Sequence, residues 1–198
     1  MGVLSKNERE YYFSGYRSST VEVPKELRAR PTLIEAWSWM GSGIGFKVVG
    51  VTSPGGRYTE KSLGESGVLR GKAHILFGPG ECEEVRIIRG TNMVGRWKMR
   101  FADALSAEPL PPKVTGRASR VFQCPAPGTR LSARFGDVGG RLGVYDERGE
   151  RVRVLAERGH RFDEMVTVPD VTGLLAVEGA LLKRDWGPML EWTLRTEE

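Results

Sequence analysis

Gly15-Tyr16-Arg17-Ser18-Ser19-Thr20-Val21-Glu22-Val23-Pro24 and Gly116-Arg117-Ala118-Ser119-Arg120-Val121-Phe122-Gln123-Cys124-Pro125 decide the reading of this chain. Each runs from Gly to Pro over the same nine-residue spacing, with a strand-like segment between. A second landmark repeats downstream, where Gly50-Val51 followed by Gly56 matches Gly143-Val144 followed by Gly149. Around it, Phe46 to Val51 and Arg57 to Glu60 flank Ser53-Pro54-Gly55-Gly56. In the other half Arg141 to Tyr145 and Glu150 to Leu155 flank Asp146-Glu147-Arg148-Gly149. Both read as β-hairpins whose glycine supplies the positive φ of the turn.

The two halves also end alike. Trp97-Lys98-Met99 and Trp192-Thr193-Leu194 each place two apolar side chains on one face of a final strand. Gly90 to Trp97 and Gly179 to Trp186 have equal spacing, while Trp192 fits the strand pattern better, so spacing leaves the equivalent of Trp97 open. Short apolar runs punctuated by 26 glycines predict many short strands rather than helices. Eight are expected in the first half and seven in the second, the latter opening at 117–123. One helical turn is expected near Lys25 to Arg28. The fold class predicted is all-β, with two tandem antiparallel β-sandwich, jelly-roll-like domains related by an internal repeat. The expected boundaries are 1–102 for the first unit, 103–113 for a Pro-rich spacer containing Pro109, Pro111 and Pro112, and 114–198 for the second unit.

These landmarks resemble the tandem β-sandwich domains common in actinobacterial hypothetical proteins, and the galactose-binding or pre-peptidase C-terminal type of jelly roll. The residues carrying the resemblance are Gly15 to Ser18 and Gly116 to Ser119, the turns at Gly56 and Gly149, and the endings at Trp97 and Trp192. It implies an accessory module that binds ligands, contacts partners or builds assemblies. The calcium-ligand loops of some such domains are not recognisable here.

Charge narrows the choice of partner. The 30 Lys and Arg residues are interleaved with 25 Asp and Glu, so the net +5 reads as a mixed surface rather than as the clustered patch that would make nucleic acid a partner. No signal-like apolar segment follows Met1 and no run is long enough to span a bilayer, which points to a soluble, cytoplasmic chain or one released as part of a particle. Cys82 and Cys124 are read as reduced thiols and cannot by themselves build a zinc site.

Catalytic chemistry finds little support. His74 lies in a strand-like run and His160 in a loop-like one, and no Gly-x-Ser-x-Gly elbow supplies a nucleophile. Glu81, Glu83 and Glu84 read as the water-facing side of a strand edge, and Asp163 with Glu164 as solvated acids. The turn Asp146 to Glu150 lacks alternating calcium ligands, and Gly41 to Gly45 is followed by a β-like run rather than a phosphate-loop helix. No catalytic residue, metal or cofactor is assigned.

Trp37 and Trp39, two apart on a strand, share one face, which is either core or a platform for sugar rings or a protein surface. Arg28 and Arg30, with Lys25, form a small basic patch close by in sequence. Trp37, Trp39, Arg28 and Arg30 are the candidate binding residues. The function expected is a non-catalytic module recognising a protein or carbohydrate partner, or associating with itself. The alternative is a structural component of a larger assembly.

Overall fold

A computed structural model describes residues 11–39, 46–52, 59–66, 73–89, 96–178 and 191–197. Among the described residues the regular structure is β, apart from a 3-10 turn at Ala104–Ser106. Two compact units divide the chain at Ala104/Leu105.

The first unit contains β1 (Tyr11–Gly15), β2 (Ser19–Glu22), β3 (Thr32–Trp39), β4 (Phe46–Thr52), β5 (Thr59–Ser66), β6 (Ala73–Phe77), β7 (Glu84–Arg89) and β8 (Arg96–Asp103). They form two four-stranded antiparallel sheets, ordered β1-β8-β3-β6 and β2-β7-β4-β5. The second unit contains β9 (Lys113–Gly116), β10 (Arg120–Gln123), β11 (Arg130–Phe135), β12 (Gly140–Asp146), β13 (Arg151–Arg158), β14 (Phe162–Thr167), β15 (Gly173–Glu178) and β16 (Trp192–Glu197). Its sheets run β14-β11-β16-β9 and β10-β15-β12-β13. Adding eight to each strand number of the first unit reproduces the second. The internal repeat is therefore a repeat of topology, and each unit is an eight-stranded sandwich of the jelly-roll kind.

Alternation builds each core from the inner faces of its two sheets. In the first unit Val21, Ile34, Ala36, Val48, Ile75, Phe77, Val85, Ile87, Trp97, Met99 and Phe101 meet inside. In the second, Phe122, Leu131, Ala133, Phe135, Leu142, Val144, Leu175, Val177, Trp192 and Leu194 do so.

One lock recurs at the same place in both units. Gly15 pairs with Trp97 and Gly116 with Trp192. The Trp97 Nε1–H donates to the Arg17 carbonyl at 2.8 Å, and that of Trp192 donates to the Ala118 carbonyl at 2.9 Å. Trp192, not Trp186, is thus the equivalent of Trp97; Trp186 itself lies outside the described residues.

The ladders also correct the second landmark by one residue. Gly50 pairs with Val85, and Val144 with Leu175, one step along equivalent strands. Gly50 therefore corresponds to Val144 and Val49 to Gly143. Each unit carries a β-bulge nearby: Val48 pairs with Gly64 but Val49 with Ser62, and Leu142 pairs with Ala156 but Gly143 with Val154. The extra residues are Leu63 and Leu155, at the same ladder step.

Strand expectations failed where prolines interrupt. The strand expected at 117–123 is β10 alone, which starts only at Arg120. A further strand, β9, precedes it at Lys113–Gly116, and the bend between them lets the chain cross between sheets, so the second unit has eight strands rather than seven. Lys113, expected at the end of the spacer, begins β9. Part of the Pro-rich stretch packs locally: Ala107 is buried, and the Glu108 carbonyl accepts the Gln123 N–H at 2.9 Å. The helical turn expected at Lys25 to Arg28 is a run of turns, with Leu27 N donating to Pro24 O at 2.9 Å. The turn around Gly56 and the loop Gly41 to Gly45 lie outside the described residues.

Candidate functional site

Because Ile34 and Ala36 of β3 point into the core, Glu35 and Trp37 occupy the opposite face of sheet β1-β8-β3-β6. The same alternation sends Arg100 and Lys98 of β8 outward beside the inward Met99 and Phe101. It sends His74 of β6 outward beside Ile75, and Tyr12 of β1 outward between Tyr11 and Phe13. The register then aligns them. Tyr12 pairs with Arg100, Arg100 with Glu35, and Glu35 with His74, forming one row across all four strands.

The row is chemically continuous. Arg100 Nε lies 2.7 Å from Glu35 Oε2, and His74 Nε2 lies 3.7 Å from Glu35 Oε1. Arg100 Nη1 donates to the Tyr12 hydroxyl at 3.2 Å, and the guanidinium sits 5.7 Å from the centre of the Tyr12 ring. Glu35 and His74 are both buried. Burial works against the charge of Arg100, but its hydrogen bonds to Glu35 and Tyr12 outweigh it and hold the guanidinium above the ordinary arginine value. A carboxylate is thus fixed between a cation and an imidazole, and such a pair is costly to break from one side. On the next row Lys98 pairs with both Ser14 and Trp37, and Arg96 donates to the Ser14 hydroxyl at 3.0 Å. Among the described residues no group of three or more His, Cys, Asp or Glu could hold a metal ion.

The binding residues expected from sequence separate in space. Trp37 is half-buried on the outward face, away from the core cluster. Trp39 continues β3 with its backbone opposite Arg96, and its side chain lies outside the described residues. Arg28 and Arg30 lie in the turns before β3. Arg28 Nε donates to the Val23 carbonyl at 2.9 Å, and Arg30 pairs with Asp103 at 3.3 Å. The length of β3 keeps this pair about 20 Å from the tryptophans, so the four form no single patch.

The other chemistry-bearing residues also separate. His160 is exposed after β13. Glu81 to Glu83 form a bend before β7 rather than a strand edge, because Cys82 is drawn into the core while its neighbours stay exposed. Asp163 is exposed, and Glu164 pairs with Arg158 at 3.0 Å. Asp146 Oδ1 accepts the N–H groups of Arg148 and Glu150, each at 2.9 Å, so this acidic stretch is a hairpin turn closed by Gly149 at φ 76°. Both cysteines are free thiols.

Sequence reasoning missed the row of four because its members are far apart in the chain and meet only through strand order. A local signal existed: Glu35 and His74 are polar residues inside otherwise apolar strand runs. The second unit does not repeat the row. Its equivalents are Lys113, Arg195, Ser132 and Met165, which pair in the same pattern but are exposed or only partly covered. That unit has a different outward network. Arg141 bonds both Glu157 and Glu178, and the Tyr145 hydroxyl donates to Glu178.

No family model and no curated protein matches the chain. Among solved structures, a protein from Parabacteroides distasonis ATCC 8503 is similar at 8% identity and TM-score 0.30, covering 96% of this chain and 89% of that one. A conserved protein of unknown function from Pseudomonas aeruginosa PAO1 is similar at 14% identity and TM-score 0.28, covering 96% and 79%. Among the described residues, no helix is long and apolar enough to cross a membrane.

Proposed function

We propose that the chain is a non-catalytic binding module whose recognition face is the outward side of sheet β1-β8-β3-β6. The observation that carries this reading is the row Tyr12–Arg100–Glu35–His74, a buried polar network on the sheet face that does not form the core. A structural role alone does not explain it, since the second unit keeps the same fold without it. Groups that neutralise one another act as a rigid support rather than as an acid or a nucleophile. They hold Tyr12, and Trp37 one row on, at fixed positions beside Lys98. Fixed aromatic faces next to charged hydrogen-bonding groups suit a sugar ring or a protein surface presenting mixed polar and apolar groups.

The test is a glycan array together with affinity capture of partners, followed by tryptophan-fluorescence titration of whatever is retained. Trp37→Ala is expected to abolish retention with the fold intact, and Arg28→Ala to leave it unchanged. Retention insensitive to Trp37 removes this face from the proposal. Self-association with no ligand retained would move the chain to the assembly reading.

A further inference from the structure

We infer that the outward face of sheet β14-β11-β16-β9 in the second unit is a docking surface for an acidic, extended protein segment. The inference stands apart from the recognition face of the first unit. Residue-for-residue equivalence between the units makes the divergence readable. Where the first unit has Leu33, Trp37 and Tyr12, the ladders of the second place Arg130, Arg134 and Lys113. Arg195 keeps the cation of Arg100, while Ser132 replaces the carboxylate of Glu35 that neutralises it.

The result is an open cationic surface. Lys113, Arg130, Arg134 and Arg195 are all exposed, against two acids, Asp163 and Glu197, on the same face. Arg195 pairs only distantly with Glu197, at 3.8 Å. Met165, 50% exposed, lies on the same row as Arg195 and gives the surface an adaptable apolar contact.

Size and composition narrow the occupant. Four strands of four to six residues make a face about 15 Å by 20 Å, far below the area of a stable interface between globular partners, so an extended segment fits. The charge excess calls for carboxylates. The described residues place no aromatic side chain on this face, whereas single-stranded nucleic acid is held by stacking on aromatics. An acidic protein segment is the better complement, bound weakly and sensitively to salt.

The experiment is fluorescence anisotropy of the full chain with fluorescein-labelled oligo-L-glutamate, at low and at physiological ionic strength. Arg134→Glu with Arg195→Glu is expected to weaken binding about tenfold or more. The control pair Lys25→Glu with Arg148→Glu, equal in charge but off this face, is expected to weaken it less than about twofold. If the reversed pair fails to fold, by circular dichroism, Arg134→Gln with Arg195→Gln carries the test. Equal weakening by both pairs overturns the inference, as does absence of binding by the wild-type chain at low salt. Tighter binding of an oligothymidylate of equal charge also overturns it, in favour of nucleic acid.

Discussion

The indole of Trp192 lies across the α-carbon of Gly116, filling the space that any β-carbon there would occupy. The pair Trp97 and Gly15 repeats the arrangement, with an added β-carbon 2.7 Å from Trp97 Cζ2. Each tryptophan also anchors the crossing from the first to the second strand of its unit by donating to a carbonyl in that turn. One side chain therefore fills a core and pins a sheet-to-sheet crossing.

Gly15→Ala and Gly116→Ala are each expected to destabilise their unit by about 1–3 kcal/mol, since a rigid ring must move to admit a methyl group. Urea unfolding followed by tryptophan fluorescence measures this. Trp192→Phe, which keeps an aromatic ring but loses the donor, is expected to cost at least about 1 kcal/mol. A neutral result for both glycine variants would show that the rings shift freely.

Removing one partner of the buried pair has a different signature from removing both. Glu35→Leu alone or Arg100→Met alone is expected to cost about 3–5 kcal/mol, because either leaves an uncompensated charge in a largely covered place. The double variant is expected to recover most of that loss. A double-mutant cycle by urea unfolding gives the coupling, and simple additivity would show that the two groups act independently.

Tyr145 makes the alkaline limb of stability predictable. Burial, then the neighbouring Glu178 charge and the hydrogen bond to it, raises this phenol above the ordinary tyrosine value of 10.0. The unfolded chain therefore ionises first as pH rises. Stability contributed by neutral Tyr145 is complete below about pH 10 and is lost at more alkaline pH. Tyr11, held high chiefly by its hydrogen bond to Glu26, is also expected to ionise late in the 295 nm absorbance of the folded protein, and Tyr145 adds a late step of its own. Tyr145→Phe should remove that step and flatten the alkaline decline. At the acid end, Glu157, held low chiefly by its bond to Arg141, contributes stability that is lost as pH falls; its exposure keeps the effect small.

Thiol chemistry offers a further check. Burial pushes the Cys124 thiol up, and Cys82 is enclosed in the first core. Ellman's reagent is expected to label Cys124 slowly in the native protein and Cys82 only on unfolding. Rapid labelling of both would contradict the enclosure.

How far the sequence carried the reading follows from which interactions are local. The repeat and most strands were legible because Gly15, Gly116, Trp97 and Trp192 mark each unit with residues that steric fit demands. The equivalence of Gly50 with Gly143 misled by one residue because glycine spacing is blind to ladder register. β9 was hidden because its four residues directly follow Pro111 and Pro112. The row from Tyr12 to His74 was not legible as a row, since four strands from both ends and the middle of the unit contribute one residue each. The basic pair Arg28 and Arg30 looked adjacent to Trp37 only because sequence distance hides the length of an extended strand.

The bulges at Leu63 and Leu155 bear on how this chain behaves at high concentration. Both sit in β5 and β13, strands that end a sheet and could template the growth of a further strand. An unpaired extra residue twists such a border out of plane, so an incoming chain cannot match it bond for bond. Among the described residues, which are mostly short strands, two of the sheet borders are thereby guarded against fibrous association.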